Sequence, residues 1–559
     1  MKQIFTCLLF SMFFISSALN AQNRYIDEIF TDVTVEADVT YGVNGTLLFL
    51  PVLGEVVPQA LQMDIYQPEG DTETDRPAVL IFHNGNFLPP VTNGQISGTR
   101  QDSSVVEIAT QLAKRGYVAA TVSYRLGWNP LAPTQPERAL GLIQAAYRGV
   151  QDGTTAVRYL KATVDGGNPY AINPDKIVAW GVGTGGYVTL AMATLNNEDA
   201  STNTLTSYSE ILTTTNGPGK FLLDTDGDGT PETPMVVQSY HGDIEGKNTT
   251  VVPANGFGLT LGDTTNYANL PDYSSKFALA VNIGGALGDI SWLDEESTPT
   301  ISVQSPFDIF APYADEVLVV PTTNDPIVRV QGSLLVAGNQ DLLGNNATFD
   351  QENYTDVITE TAKANAATAD HDYYEGLFPF IRPVNSGGIP EGVVLNWWDP
   401  AGPSPADGQG MGIPWNMLPH PSDPTGETSF HENGLVLNEG MSAEKSRANI
   451  ADVMAFVLPR ACVSLGLGDC IVSSVENLPL SNTELTISPN PASSNITVAA
   501  DNSLIESIVI SDIQGKIILN APVINTTSQT LDISALNSGM YIVKAKLEDG
   551  ISTSKLTVK

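Results

Sequence analysis

The chain has 559 residues, more than one ordinary hydrophobic core organises, so at least two folded units are expected. Hydrophobic residues make up 42% and charged residues 16%, which excludes a disordered tail and points to globular domains. Asp and Glu number 62 against 26 Lys and Arg, a formal charge of −36, which repels nucleic acid and anionic membranes at long range and argues against a nucleic-acid partner.

The first residues read as an export signal. Lys2 supplies positive charge, Ile4 to Ile15 is apolar, and Ser16 to Ala21 is a small-residue exit with cleavage expected after Ala21. The apolar run is shorter than the roughly 20 residues a membrane-spanning helix needs, and nothing later resembles a span. Residues 22 to about 60 look like an apolar, β-rich lead-in. A βα alternation follows. Leu61 to Tyr66 alternates as a strand and stops at Gln67-Pro68. Ala78 to Phe82 is a buried strand, Val105 to Lys114 has helical spacing, and Tyr117 to Tyr124 is β-branched. Glu137 to Lys161 is a long amphipathic helical region with an expected interruption near Gly149 to Gly153. Lys176 to Trp180 is a strand, followed by a glycine cluster and a helix over Tyr187 to Leu195. This order predicts an α/β unit with a doubly wound, mostly parallel sheet. Residues 196 to about 275 read as an insertion. Strands return at Ala278 to Ile283 and Thr298 to Gln304. A second irregular, lid-like stretch covers about 340 to 435, and a final helix fits Ser442 to Val457. The predicted division is a signal over 1–21, a main domain over 22–470, a linker over 471–483 and a C-terminal domain over 484–559. Of the three cysteines, Cys7 lies in the signal, while Cys462 and Cys470 can close one small loop in an oxidising compartment.

The tail changes character. Leu485 to Ile487, Ile496 to Val498, Ile508 to Ile510, Ile517 to Leu519 and Tyr541 to Lys544 are short β-type runs separated by turn residues, the pattern of a small all-β sandwich. The run Pro489-Asn490-Pro491, the turn Asp512 to Lys516, Ser538-Gly539-Met540-Tyr541 and the terminal Lys555 to Lys559 resemble the C-terminal sorting domain of type IX secretion cargo. The resemblance implies the type IX machinery as a partner and a secreted or cell-surface destination reached through the periplasm. A carbohydrate-binding or adhesive sandwich is the competing reading.

Leu61 to Leu195 resembles secreted carboxylesterases of the α/β-hydrolase superfamily, including the feruloyl and acetyl-xylan esterase branch. Asp64 to Pro68 matches the opening strand. Ile81-Phe82-His83-Asn84-Gly85-Asn86-Phe87 stands where that family has a His-Gly-Gly-Gly-Phe oxyanion loop, and Gly181-Val182-Gly183-Thr184-Gly185-Gly186 stands where it has Gly-x-Ser-x-Gly-Gly. In such an elbow a strand turns sharply into a helix and exposes the apex residue as the nucleophile. Here the apex is Gly183, which relieves the strain but has no oxygen for acyl transfer. Thr184 is the substitute candidate, and its bland role is a helix cap. By resemblance, Asp308 after the strand Thr300 to Gln304 is the triad carboxylate, with a loop-capping Asp as the alternative. His431 is the nearest histidine candidate and His420 the second, and either is equally read as a surface loop residue. Gly85, Asn86 and the Thr184 N–H are the oxyanion candidates. His83 reads as structural.

A second motif is Asp224-Thr225-Asp226-Gly227-Asp228-Gly229-Thr230-Pro231-Glu232. Asp224, Asp226, Asp228, Thr230 and Glu232 are the candidate ligands of a structural calcium; a β-hairpin turn is the alternative. No cofactor is implied for catalysis. Trp397, Trp398 and Trp415 either pack a lid or stack on a ligand. Two functions follow. The first is a non-catalytic or weakly active secreted binder of a small ester or glycan, with a degenerate elbow. The second is an active secreted ester hydrolase with an unconventional nucleophile.

Overall fold

The computed structural model describes residues 23–90, 92–195, 220–224, 228, 230–320, 324–351, 354–382, 388, 391–395, 414–421, 423–468, 483, 485–500, 503–512, 517–534, 536–548 and 550–559. The expected signal segment and residues 471–482 of the expected linker lie outside them. The chain divides into two compact units, Met1–Val472 and Ser473–Lys559.

The first unit is built on an eight-stranded mixed sheet. Strands β1 (Val33–Thr46), β2 (Val57–Pro68), β3 (Arg76–Phe82), β4 (Val118–Val122) and β5 (Ile172–Val182) come first. Two small hairpins follow, β6 (Leu222–Leu223) with β7 (Thr233–Pro234), and β8 (Thr250–Val251) with β9 (Thr264–Asn266). The sheet then resumes with β10 (Leu279–Ile283) and β11 (Thr300–Gln304), is interrupted by the hairpin β12 (Asp315–Val320) and β13 (Asp325–Gln331), and closes with β14 (Leu377–Pro379). Its order is β1-β2-β4-β3-β5-β10-β11-β14. Strands from β4 to β14 are parallel, while β2 is antiparallel to both neighbours. Every residue of β3, β4, β10 and β11 is buried, as strands covered on both faces require. Period-two alternation divides them between two cores. Leu80 and Phe82 face one side with Ala179, whereas Val79 and Ile81 face the other with Trp180 and Val281. No helix of the described residues is long and apolar enough to cross a membrane.

A short helix, α1 (Leu50–Leu53), lies between β1 and β2; the second core is covered by α2 (Ser103–Lys114) and the late helix Ala443–Ser464, and the first by α3 (Gln135–Asp165) and α4 (Thr184–Thr194). A capping box between Thr134 and Glu137 starts α3. The expected interruption at Gly149 and Gly153 is absent: α3 runs unbroken for 31 residues. Those glycines serve packing instead. A Cβ on Gly149 would lie 2.9 Å from Val188 Cγ2, and one on Gly153 would overlap the Met192 sulfur, so their absence lets α4 seat against α3. The late helix also outruns its expected end at Val457, continuing through Pro459 to Ser464. Cys462, near that end, is disulfide-bonded; Cys470 lies outside the described residues.

A buried polar cluster ties the insertion to this core. Arg125 and Asp152 are fully buried and paired, with Nη2 2.8 Å from Oδ1. Arg125 Nη1 donates to the carbonyls of Gly45 (3.1 Å) and Thr265 (2.9 Å), and Nη2 donates to Gln151 Oε1 (2.9 Å). Asp152 also accepts from the Arg125 amide at 2.7 Å. Gln151 Nε2 donates to the carbonyls of His241 and Asp243, and Arg158 Nη1 to that of Glu245 at 2.7 Å. The insertion therefore docks by having its carbonyls satisfied from Arg125 and from Gln151 and Arg158 of α3.

The second unit is all β. A three-stranded sheet, β15 (Leu485–Ser488), β16 (Asn495–Ala500) and β19 (Ser528–Asp532), and a four-stranded sheet, β18 (Ile517–Thr526), β17 (Ile505–Asp512), β20 (Gly539–Leu547) and β21 (Gly550–Val558), are both antiparallel. Ile496 and Val498 from one sheet and Ile508, Val543 and Leu556 from the other share one core, the sandwich arrangement expected from the sequence.

Candidate functional site

At the end of β5 the chain turns directly into α4. Gly183 sits at the apex with φ 55° and ψ −116°, a conformation costly for any residue with a Cβ. Its N–H donates to the Ile283 carbonyl (2.8 Å) and its own carbonyl accepts from Gly186 N (2.9 Å). Close approach holds the turn. A Cβ on Gly185 would run into the Phe82 carbonyl, and one on Gly181 into the Gly185 carbonyl. The backbone is thus a sharp strand-to-helix elbow with no side chain at its tip.

The space beside that tip is occupied from the neighbouring loop. A Cβ added to Gly183 would overlap the Asn84 carboxamide oxygen. Asn84 Oδ1 accepts from the Thr184 N–H at 3.2 Å, and Asn84 Nδ2 donates to Gln95 Oε1 at 3.3 Å. Both bonds are at the long end of the normal range. Asn84 therefore both fills the place of an apex side chain and caps the amide that sequence reasoning assigned to an oxyanion. That reading saw Asn84 only as a replaced glycine.

The rest of the loop is ordered around positive φ values, at Gly85 (128°), Asn86 (55°) and Phe87 (55°). Asn tolerates this region, so the loop keeps its shape. Asn86 Nδ2 donates to the Asn93 carbonyl at 3.4 Å, and the Asn86 carbonyl accepts from Trp128 Nε1 at 2.8 Å. His83 is buried and stacked on Tyr124, with ring centroids 4.5 Å apart. Loss of water pushes its pKa down to about 4, so it stays neutral at physiological pH. Thr184 is the first residue of α4, and the cap position belongs to Gly183, which corrects the expected capping role. The Thr184 hydroxyl instead pairs with Tyr124 Oη at 3.2 Å inside the domain.

Asp308 lines the same small cavity as Asn84, Asn86, Gly183 and Thr184, a space of about 40 Å³. Its Oδ1 accepts from the N–H groups of Phe310 (2.8 Å) and Ala311 (3.2 Å). Desolvation outweighs these bonds and raises its pKa to about 7. Tyr187, on the facing side of α4, is pushed well up by burial and then by the Asp308 charge. No histidine is among the described residues that line this cavity. His431 is the second residue of the helix Phe430–Leu437, and its Nδ1 is buried with no hydrogen-bond partner among the described residues. His420 Nε2 lies 2.9 Å from the Gly94 carbonyl, and its ring packs on Phe430 at 4.9 Å.

A larger cavity of about 130 Å³ adjoins the elbow. It lies between α3, α4 and the hairpin β12–β13, and shares Asn86, Thr184, Tyr187 and Phe310 with the smaller space. Its wall is overwhelmingly apolar, including Leu142, Val188, Phe221, Trp292, Leu318 and Val330. Sequence reasoning missed both this cavity and the hairpin, although Val317 to Val320 and Ile327 to Val330 are β-type runs flanking a Pro-Thr-Thr-Asn-Asp-Pro turn.

Of the calcium candidates, Asp224, Asp228, Thr230 and Glu232 lie on the connection between β6 and β7, where Asp228 Oδ1 accepts from Thr230 N at 2.7 Å; Asp226 lies outside the described residues. Among the described residues no cluster of three acidic, histidine or cysteine side chains is arranged to hold a metal. Trp415 is buried against Phe430, whereas Trp397 and Trp398 lie outside the described residues.

Two family models match parts of the sequence. Residues 63–224 match the BD-FAE family model, and residues 486–559 match the Secretion system C-terminal sorting domain. No curated protein matches the sequence at a significant level. Among solved structures, a phosphoramylated esterase 2 from Thermogutta terrifontis is 20% identical over 31% of this chain with a TM-score of 0.20, and this chain spans about half (52%) of its length. A truncated carbohydrate esterase from gut microbiota is 15% identical over 57% of this chain and 86% of its own, with a TM-score of 0.28. Esterase B from Lactobacillus Rhamnosis is 18% identical over 32% of this chain and 44% of its own, with a TM-score of 0.19. The chain therefore contains an esterase-like α/β-hydrolase region and a C-terminal sorting domain, and the sorting domain indicates secretion or a cell-surface location.

Proposed function

We propose that this secreted or cell-surface, esterase-like protein binds a ligand beside its elbow without hydrolysing it. The observation that carries the reading is the pairing of Gly183 with Asn84: the apex has no nucleophile, and the carboxamide sits where one would project. Acyl transfer needs an oxygen or sulfur at that apex, activated by a base. The hydroxyl of Thr184 is engaged by Tyr124 away from the tip, which argues against a one-residue shift of the nucleophile.

The test is covalent as well as kinetic. Purified protein is exposed to p-nitrophenyl butyrate and to an activated organophosphate, and its intact mass is measured. We expect no covalent adduct and no saturable turnover. A stoichiometric adduct on the wild-type chain, lost in Thr184→Ala, would sink the binding reading and establish an unconventional nucleophile.

A further inference from the structure

We propose that the apolar cavity between α3, α4 and β12–β13 is the ligand-holding part of the domain, and that it takes a compact, uncharged apolar group about the size of one aromatic ring, with no contact to a carbonyl required. The proposal rests on the non-hydrolytic reading and narrows its ligand class away from glycans.

Size sets the first limit. An engineered apolar cavity of about 150 Å³ in another protein stays dry and binds benzene. The cavity here, about 130 Å³, is close to that scale. The wall sets the second. Most of its residues offer only carbon atoms, and the Tyr147 hydroxyl already donates to the Gly242 carbonyl at 2.8 Å. A sugar ring would leave several hydroxyls unpaired there, each an unmet desolvation cost. Among the wall residues Val319 of the hairpin is exposed, and Leu318 of the hairpin and Ile143 and Ala146 of α3 are half-buried. Asn84 supplies the third limit. It holds the Thr184 amide, so a ligand in the apolar cavity gains no hydrogen bond from that amide unless Asn84 moves. The one unpaired donor of the described wall is Trp292 Nε1, so affinity rests on the apolar body and at most one hydrogen bond.

Full-length protein is titrated calorimetrically with toluene, which has no carbonyl, and with ethyl benzoate, which does. We expect saturable toluene binding that weakens at least tenfold in Ala146→Trp and in Ile143→Trp, two half-buried wall positions. Asn84→Ala is expected to leave toluene binding within twofold and to tighten ethyl benzoate severalfold. Xenon-pressurised crystals of the wild-type protein give a check that needs no variant, with density expected within this cavity. Absence of saturable toluene binding, equal affinity in folded tryptophan variants, or xenon found only elsewhere would each overturn the proposal. Toluene has no ester, so these outcomes are independent of whether the protein hydrolyses esters.

Discussion

The elbow and the Arg125–Asp152 cluster are both buried turns of chain pressed against α3 or α4, yet they treat polar groups in opposite ways. Around Arg125 the ionised groups meet several partners at 2.7 to 3.1 Å, and the cluster pins three separate segments. At the elbow the side-chain bonds are 3.2 and 3.3 Å, and the group they centre on is an intruder from the next loop. The backbone of the elbow is nonetheless held tightly by glycine contacts to β3 and β10. The contrast teaches that the frame of a reactive turn and its chemistry are maintained by different forces. Helix-on-sheet docking keeps the frame, while nothing in that docking requires an oxygen at the tip.

Five substitutions sharpen or break this contrast. The largest effect is expected for Asp152→Ala, which strands a buried guanidinium and should cost about 3–5 kcal/mol in denaturant unfolding; a loss under 1 kcal/mol would mean that the cluster is not the anchor described. Next is Gly185→Ala, whose methyl meets the Phe82 carbonyl, backbone that cannot rotate aside; about 3 kcal/mol of destabilisation is expected by the same measurement. Gly183→Ala comes third. A conformation this sparsely populated costs a residue with a Cβ about 1–3 kcal/mol, and displacement of Asn84 adds to it. In the double variant with Asn84→Ala the penalty should fall short of the sum by about 1 kcal/mol, and strict additivity would show that the two positions do not share a space.

The smallest effect is a pH dependence. Folding raises the Asp308 pKa from the ordinary carboxylate range to about 7, so the folded state holds this proton more tightly than the unfolded chain. Its contribution to stability is fully present below about pH 4 and is lost as pH rises through about 7. Asp308→Asn should therefore melt close to wild type at pH 5 and a degree or two higher at pH 8. A gain that is the same at both values would show that Asp308 ionises normally.

Much of the sheet was legible because its strands are short, continuous apolar runs. Ala78 to Phe82, Lys176 to Trp180 and Ala278 to Ile283 all fall on observed strands, within a residue or two at most ends. The glycines of α3 misled, since composition within a helix does not say whether a neighbouring helix presses on it. Gly183 at the apex was legible from the motif's register. Asn84 was not, because which way a loop side chain turns depends on the empty space opposite it, which a linear sequence does not display. The same holds for the apolar cavity, whose wall is drawn from α3, α4 and the β12–β13 hairpin, far apart along the chain.

The lodging of Asn84 against Gly183 also restricts the mutational paths open to this fold. A lone serine at 183 would arrive in a volume already taken and next to an amide already bonded, so it gains nothing until position 84 changes first. The two positions are thus expected to be epistatic: the order of substitutions matters, and a side chain at 183 fits only once position 84 has vacated the space.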